Sequence, residues 1–163
     1  MNNNHIGTAF ELMKDIANQE GWNYSHGTLT ELDFKAFLVF PLMHCSIQSV
    51  ALTDQVATIQ MNIMLADRVN YLKTENEQQN LITEYSEYGY TENQNYGNIL
   101  QDLYVRLSKG LWRTEQDYFN QVQYIRPITM QPFIETMDSV LAGYQITLGI
   151  ELINPWVTDG DCV

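Results

Sequence analysis

Basic residues are scarce: 8 Lys and Arg stand against 20 Asp and Glu in 163 residues, a formal charge of −12. They are also scattered, so no cationic stripe forms to neutralise phosphates, which argues against tight nucleic-acid binding. Cysteine is nearly absent. Cys45 and Cys162 have neither metal-ligand spacing nor a multi-bridge pattern, and read as a strand thiol and a tail thiol without redox work. The three histidines, His5, His26 and His44, form no His-x-x-x-His or His-Glu-x-x-His arrangement, so no metal site is expected. Long apolar runs are missing too. The longest, Phe37 to Met43, falls far short of the ~18 residues of a membrane span. The N-terminus lacks the basic and apolar regions of a signal peptide, so the expectation is a soluble protein made in the cytoplasm, with no membrane partner.

Chemistry finds no foothold in what remains. His44 and Cys45 are adjacent on an expected strand and point to opposite faces, so they cannot pair as base and nucleophile. Glu75/Glu77 and Glu84/Glu87 have no apolar surroundings to raise one pKa for acid catalysis and read as a solvated acidic face. Thr158 to Cys162 holds two carboxylates around a glycine but lacks the other ligands of a calcium loop. No glycine-rich phosphate loop occurs, since Gly143-Tyr144 precedes a strand. No catalytic, cofactor-binding or metal-ligating residue is therefore assigned, no cofactor is expected, and the protein is not read as an enzyme.

What is present is a 45 % hydrophobic composition, enough for one domain over 1–163, with only 17 % charged residues and ten tyrosines. A surface rich in Asn, Gln and Tyr suits contact with other proteins. Asn3 or Asn4 can cap a helix in which Ile6, Phe10, Met13 and Ile16/Ala17 recur at helical spacing until Gly21. Residues 22–32 read as a loop. Strands follow at Phe34–Phe40 and over Cys45, Ile47, Ser49 and Ala51, then at Ala57, Ile59, Met61, Ile63 and Leu65, with Thr53-Asp54 as the turn. A second helix carries Ile99/Leu100, Leu103/Tyr104, Leu107 and Leu111, with Gly110 at or near its end. A strand from about Tyr124 to Thr129, bounded by Pro127 and Pro132, precedes a last one over Tyr144, Ile146, Leu148, Ile150 and Leu152. The order α-β-β-β-α-β-β predicts an α+β two-layer sandwich, an antiparallel sheet of four to five strands with two helices on one face.

The segment 70–97, 28 residues with five Glu and one Lys, is too long and too aromatic for an ordinary connection. It reads either as a segment that orders on a partner subunit or as a solvated excursion, with a helix around Glu77 to Tyr85. Its residues Tyr71, Glu84, Tyr85, Glu87, Tyr88, Tyr90 and Tyr96, with Trp22 and Tyr24, are the expected subunit-interface residues.

The order of parts resembles the small tail-terminator or neck-ring proteins, the head–tail connectors, of tailed bacteriophages, especially crAss-like and other Bacteroidetes phages. The resemblance spans most of the chain. It lies in the helix Ile6 to Ala17, in Ala36-Phe37-Leu38-Val39-Phe40-Pro41 and in the strand pair ending Met61 to Arg68. It continues in Asn98 to Leu103, in Met137 to Ile146 with its Ala142-Gly143-Tyr144, in the long strand ending near Pro155, and in the near-terminal Cys162. It implies a virion structural protein in the neck or tail, closing a hexameric or dodecameric homo-oligomeric ring between portal and tail. The implied partners are itself, adjoining portal, neck or tail rings, and genomic DNA passing through the lumen on ejection without specific binding. Six copies at −12 each would carry −72 and twelve −144, a charge that repels the DNA backbone and lets it slide. A free-standing α+β module binding a peptide or small molecule through Trp22, Tyr24 and the tyrosines of 70–97 is the alternative.

Overall fold

In the computed structural model, residues 5–27, 40–68, 96–136 and 140–153 are described. The elements run α1 (His5–Glu20), β1 (Asn23–His26), β2 (Leu42–Leu52), β3 (Val56–Arg68), α2 (Tyr96–Asp117), β4 (Val122–Tyr124), β5 (Thr129–Thr136) and β6 (Val140–Ile153). The sheet has six strands in the order β1-β2-β3-β6-β4, with β5 also on β6, and the two helices cover one face in an α+β two-layer sandwich. β1 pairs parallel with β2, so the sheet is mixed rather than purely antiparallel, and larger than the four to five strands expected.

Strict alternation builds the centre. Ala57, Ile59, Met61, Ile63 and Leu65 of β3 lie opposite Leu152, Ile150, Leu148, Ile146 and Tyr144 of β6, and all but half-buried Tyr144 are fully buried under the helices. The Tyr144 hydroxyl donates to the Leu100 carbonyl of α2 (3.0 Å), tying helix to sheet. Gly143 before it has a steric reason: a Cβ there would run into the Leu65 carbonyl of β3. The other sheet face carries Thr58, Gln60 and Asn62 beside Gln145 and Thr147, which are polar and partly or fully exposed.

Two irregularities re-aim strands. Gln48 is a bulge in β2, since Ile47 pairs with Met61 and Ser49 with Gln60. Beyond it, Val50 and Leu52 take the helix-facing side, not the expected Ser49 and Ala51. On the far edge, residues 125–128 stand opposite only Leu148 and Gly149, which splits the one strand expected near 124–129 into β4 and β5. Pro132 lies within β5 instead of bounding it, at a sheet edge where a missing N–H costs least.

α1 ends in a Schellman motif. Gly21, at φ 71°, donates to Asn18 O (3.3 Å) and Trp22 N to Ala17 O (2.8 Å), which turns the chain directly into β1 rather than into the expected loop. α2 does not stop at Gly110. Gly110 is buried inside a helix that continues to Asp117, and a Cβ on it would lie 2.6 Å from Ile16 Cγ2, so the glycine serves the close crossing of α1 and α2. Arg113–Asp15 (3.6 Å) and Arg106–Glu20 (3.0 Å) bridge the same crossing. Near its end Thr114 Oγ1 and the Tyr124 hydroxyl share a buried hydrogen bond (2.6 Å) that holds α2 to β4. Phe34 to Val39 of the expected strand Phe34–Phe40, the helix caps Asn3 and Asn4 and the C-terminal tail lie outside the described residues; Phe40 lies just ahead of β2.

Ile63→Ala or Leu148→Ala should each cost about 2–5 kcal/mol of stability, because each deletes core volume between sheet and helices. Gly110→Ala should cost about 1–3 kcal/mol by overpacking against Ile16, while Thr147→Ala should stay within about 0.5 kcal/mol. Urea titrations check all four. Neutral Ile63 and Leu148 variants would mean that the buried face is misassigned.

Candidate interaction surface

α2 carries a buried stripe, Ile99, Leu103, Leu107 and Leu111, that packs on the sheet. Opposite it stand Val105 and Trp112, seven residues apart, with Phe119 two residues beyond the helix end. Val105 is 48 %, Trp112 62 % and Phe119 71 % exposed, and half-exposed Tyr104 adjoins them. A seven-residue spacing returns to nearly the same helix face, so Val105 and Trp112 share one face, about 10 Å apart at 1.5 Å per residue, and Phe119 follows in the turn just past the helix. Single exposed apolar residues are ordinary; a row with two large aromatics is the kind of patch that marks an interaction site.

Charge along this helix is compensated internally. Arg106 bonds Asp102 (2.9 Å) and Glu20 Oε2 (3.0 Å), and also donates to the Glu20 carbonyl at the end of α1. Burial opposes the Arg106 charge, but the hydrogen bonds it donates to the Glu20 and Asp102 carboxylates outweigh it and hold the guanidinium firmly protonated. Arg126 takes Glu115 in a two-pronged contact, at 2.5 Å to Oε1 and 2.9 Å to Oε2. Lys109, exposed between Val105 and Trp112, forms no ion pair among the described residues.

The Glu115 carboxylate also accepts the Tyr124 N–H (3.2 Å), and the Val122 N–H donates to the Tyr118 carbonyl (3.1 Å). Ile125 N bonds Gly149 O and Ile153 N bonds Gln121 O, so residues 121 and 125 face β6 while the N–H groups of Val122 and Tyr124 face outward. Both outward donors of edge strand β4 are thus occupied by the end of α2, which blocks strand addition there. An open groove of about 490 Å³ adjoins this corner, lined by Phe119, Gln116, Gln121, Gln123, Glu151 and the Glu115–Arg126 pair among others. Its walls are mostly amide and charged, and it holds no nucleophile with an adjacent base.

The residues singled out from sequence fall differently. Trp22, expected at an interface, is only 3 % exposed. Its ring is in the core, with the Arg106 guanidinium 4.9 Å from its centroid, because the Schellman turn carries the chain inward. Tyr24 is half-buried on the core-facing side of β1, and burial, then the neighbouring Cys45, push its phenol up. Tyr71, Glu84, Tyr85, Glu87, Tyr88 and Tyr90 lie outside the described residues, as does the expected helix Glu77 to Tyr85; Tyr96 begins α2. His44 and Cys45 do face opposite ways: Cys45 is in the core, its thiol pushed up by burial, while the His44 ring meets Ser25 Oγ at 2.8 Å on the other side. Among the described residues no three His, Cys, Asp or Glu side chains converge as metal ligands. None of their helices is long and apolar enough to cross a membrane. The exposed α2 line is absent from the sequence-based expectations, although its seven-residue spacing is there to be read.

No protein-family model matches this chain, and no curated protein sequence matches it.

Burial alone would raise the Glu115 carboxyl, but hydrogen bonds from Arg126 and the Tyr124 N–H win and hold it below the usual carboxylate range. A depressed carboxylate stabilises the fold above its unfolded pKa, and that stabilisation is lost as pH falls through the folded pKa. Glu115→Gln should therefore lower stability at neutral pH and flatten the acid side of the stability–pH curve. Thermal melts from pH 7 to pH 3 check this; parallel wild-type and variant curves would show that the contact contributes nothing.

Proposed function

We propose that this chain is a virion structural protein, a subunit of a ring in the neck or tail of a tailed phage that joins the portal side to the tail and conducts DNA. The observation that carries the assembly half of this reading is the exposed Val105 and Trp112 face of α2, with exposed Phe119 just past the helix end. Such a row suits burial against another protein. The phage half rests on the resemblance described above, whose parts correspond to α1, the β2–β3 hairpin, α2 and β6. The chain is made in the host cytoplasm and resides in the particle. Its partners are other copies of itself and the adjoining portal, neck or tail rings.

The acidity fits a conduit. Charge of one sign facing a lumen raises the energy of the DNA phosphates evenly along the path, and an even potential offers no place to stick. The free-standing binding module keeps one supporting feature, the groove beside Phe119. It loses Trp22 as a ligand-stacking ring, because that ring is in the core.

Two measurements test the proposal. Purified particles should contain the chain at six or twelve copies per portal, by quantitative mass spectrometry and by density in the neck; particles lacking it would end the phage reading. The isolated protein should not be retained by duplex DNA in 50 mM salt, where electrostatic affinity is strongest. Retention that weakens steeply with salt would overturn the conduit argument.

A further inference from the structure

We propose that the groove where the end of α2 meets β4 and β6 is a binding site for a neutral carbohydrate, with Phe119 as the ring on which a sugar stacks. The site goes beyond the ring reading and does not depend on it. Its volume of about 490 Å³ falls within the ~300–1,000 Å³ of small-ligand sites.

Three chemistries meet there. The first is Phe119, 71 % exposed on the turn after α2. The Tyr118 N–H donates to the Thr114 carbonyl (3.0 Å), and the Tyr118 carbonyl accepts the N–H groups of Gln121 (2.9 Å) and Val122 (3.1 Å). Asn120 takes the left-handed conformation that closes the turn, at φ 65°. The ring is thus presented on backbone already in order, which lowers the cost of binding. Its electron-rich face suits the weakly positive C–H groups on the apolar side of a pyranose. The second is a set of amides. Gln116, Asn120, Gln121 and Gln123 line the same groove, and among the described residues none of their side-chain amides is hydrogen-bonded. An amide offers both donor and acceptor, as a sugar hydroxyl does. The third is Glu151, on the sheet face away from the helices between its register partners Thr58 and Gln123. It forms no ion pair among the described residues, and a free carboxylate can accept from two neighbouring hydroxyls.

The same geometry disfavours other ligands. A phosphate or an acidic sugar needs a free cation. Arg126, the one cationic residue among those lining the groove, is held by both oxygens of Glu115 (2.5 and 2.9 Å) and also donates to the Tyr124 carbonyl (3.2 Å). Glu151 adds repulsion. An extended peptide needs open main-chain donors, but the outward N–H groups of Val122 and Tyr124 are taken by the Tyr118 carbonyl and by Glu115. What remains is an aromatic face, uncommitted amides and one carboxylate, the set that a neutral polyhydroxyl ring can satisfy.

The test titrates the isotope-labelled full chain with maltohexaose, cellohexaose, mannohexaose and N-acetylchitohexaose, each to about 10 mM, which detects millimolar affinity. At least one should give saturating NMR shifts in the side-chain amides of Gln116, Gln121 and Gln123 and in the Phe119 ring. Phe119→Ala should weaken that binding at least about ten-fold, whereas Phe119→Tyr should retain it. The ring is exposed, so both variants keep the fold, which the rest of the spectrum checks. Trp112→Ala, outside the groove, should bind as the wild type does. No shift with any of the four sugars, shifts clustered elsewhere, or undiminished binding by Phe119→Ala would each overturn the site. So would tighter binding of hexagalacturonate, an acidic sugar, or of an octapeptide of alternating Thr and Val, which would add as a strand.

Discussion

β6 is flanked by β3 along thirteen residue pairs on one side, and by β4 and β5 on the other. With both edges occupied, a one-residue slip would turn Ile146, Leu148, Ile150 and Leu152 out of the core together with their β3 partners. That ladder joins segments more than seventy residues apart and fixes the plane against which both helices lie. The helices then lock each other: Gly110 admits Ile16 at their crossing, while Arg106 and Arg113 reach Glu20 and Asp15 across it. The polar Thr114–Tyr124 pair sits under this layer fully satisfied, which is the condition for burying two hydroxyls at little cost. Burial pushes the Tyr124 phenol up, so it stays a neutral hydrogen-bonding partner at any physiological pH.

The same ladder leaves an outer edge to manage. β4 has its outward N–H groups taken by Tyr118 and Glu115, and β5 places Pro132 in the edge itself. Four residues opposite two at 125–128 further break the edge into short pieces. Short, proline-bearing and capped edges resist adventitious pairing. Away from that edge, the most exposed large apolar side chains among the described residues are Phe119 just past α2, Leu52 at the hairpin tip and Trp112 on α2.

Much of the fold was legible because β3 and β6 alternate without interruption and α1 shows a single apolar stripe; Met13, Ile59, Ile63, Leu103, Leu107, Ile146 and Leu148 are buried as the pattern implies, and Phe10 partly so. The misses share a cause: one residue type serves two geometries. Glycine ends α1 at Gly21, where φ is positive, but permits a close crossing at Gly110, and only the neighbour Ile16 distinguishes them. Gln48 bulges without a glycine or proline to announce it, so the later strand faces lie one residue out of phase with the alternation expected from sequence. β1 is four residues long and pairs in parallel, too short for a period to emerge. Trp22 follows a turn and so looks like surface, although a Schellman motif characteristically brings that position back against its helix. On α2 the buried stripe dominates the pattern. Helical sequences are usually scanned for one apolar face, and a second one on the same helix is lost in the first.

The distribution of charge also separates what stabilises the subunit from what shapes its neighbours. Of the cations on and just after α2, Arg106, Arg113 and Arg126 are each committed to a carboxylate of the same chain, so the fold consumes positive charge where helices and edge strand meet. Five of the acids fall instead at Glu75, Glu77, Glu84, Glu87 and Glu92, within one stretch of sequence that holds a single Lys. The surplus of twelve is therefore unevenly spread, and the hairpin from Leu42 to Ala66 is nearly free of it. At physiological ionic strength charge is felt over only about 8 Å. A strand pair with one carboxylate in 25 residues therefore adds almost nothing to the repulsion that the rest of the chain's charge creates.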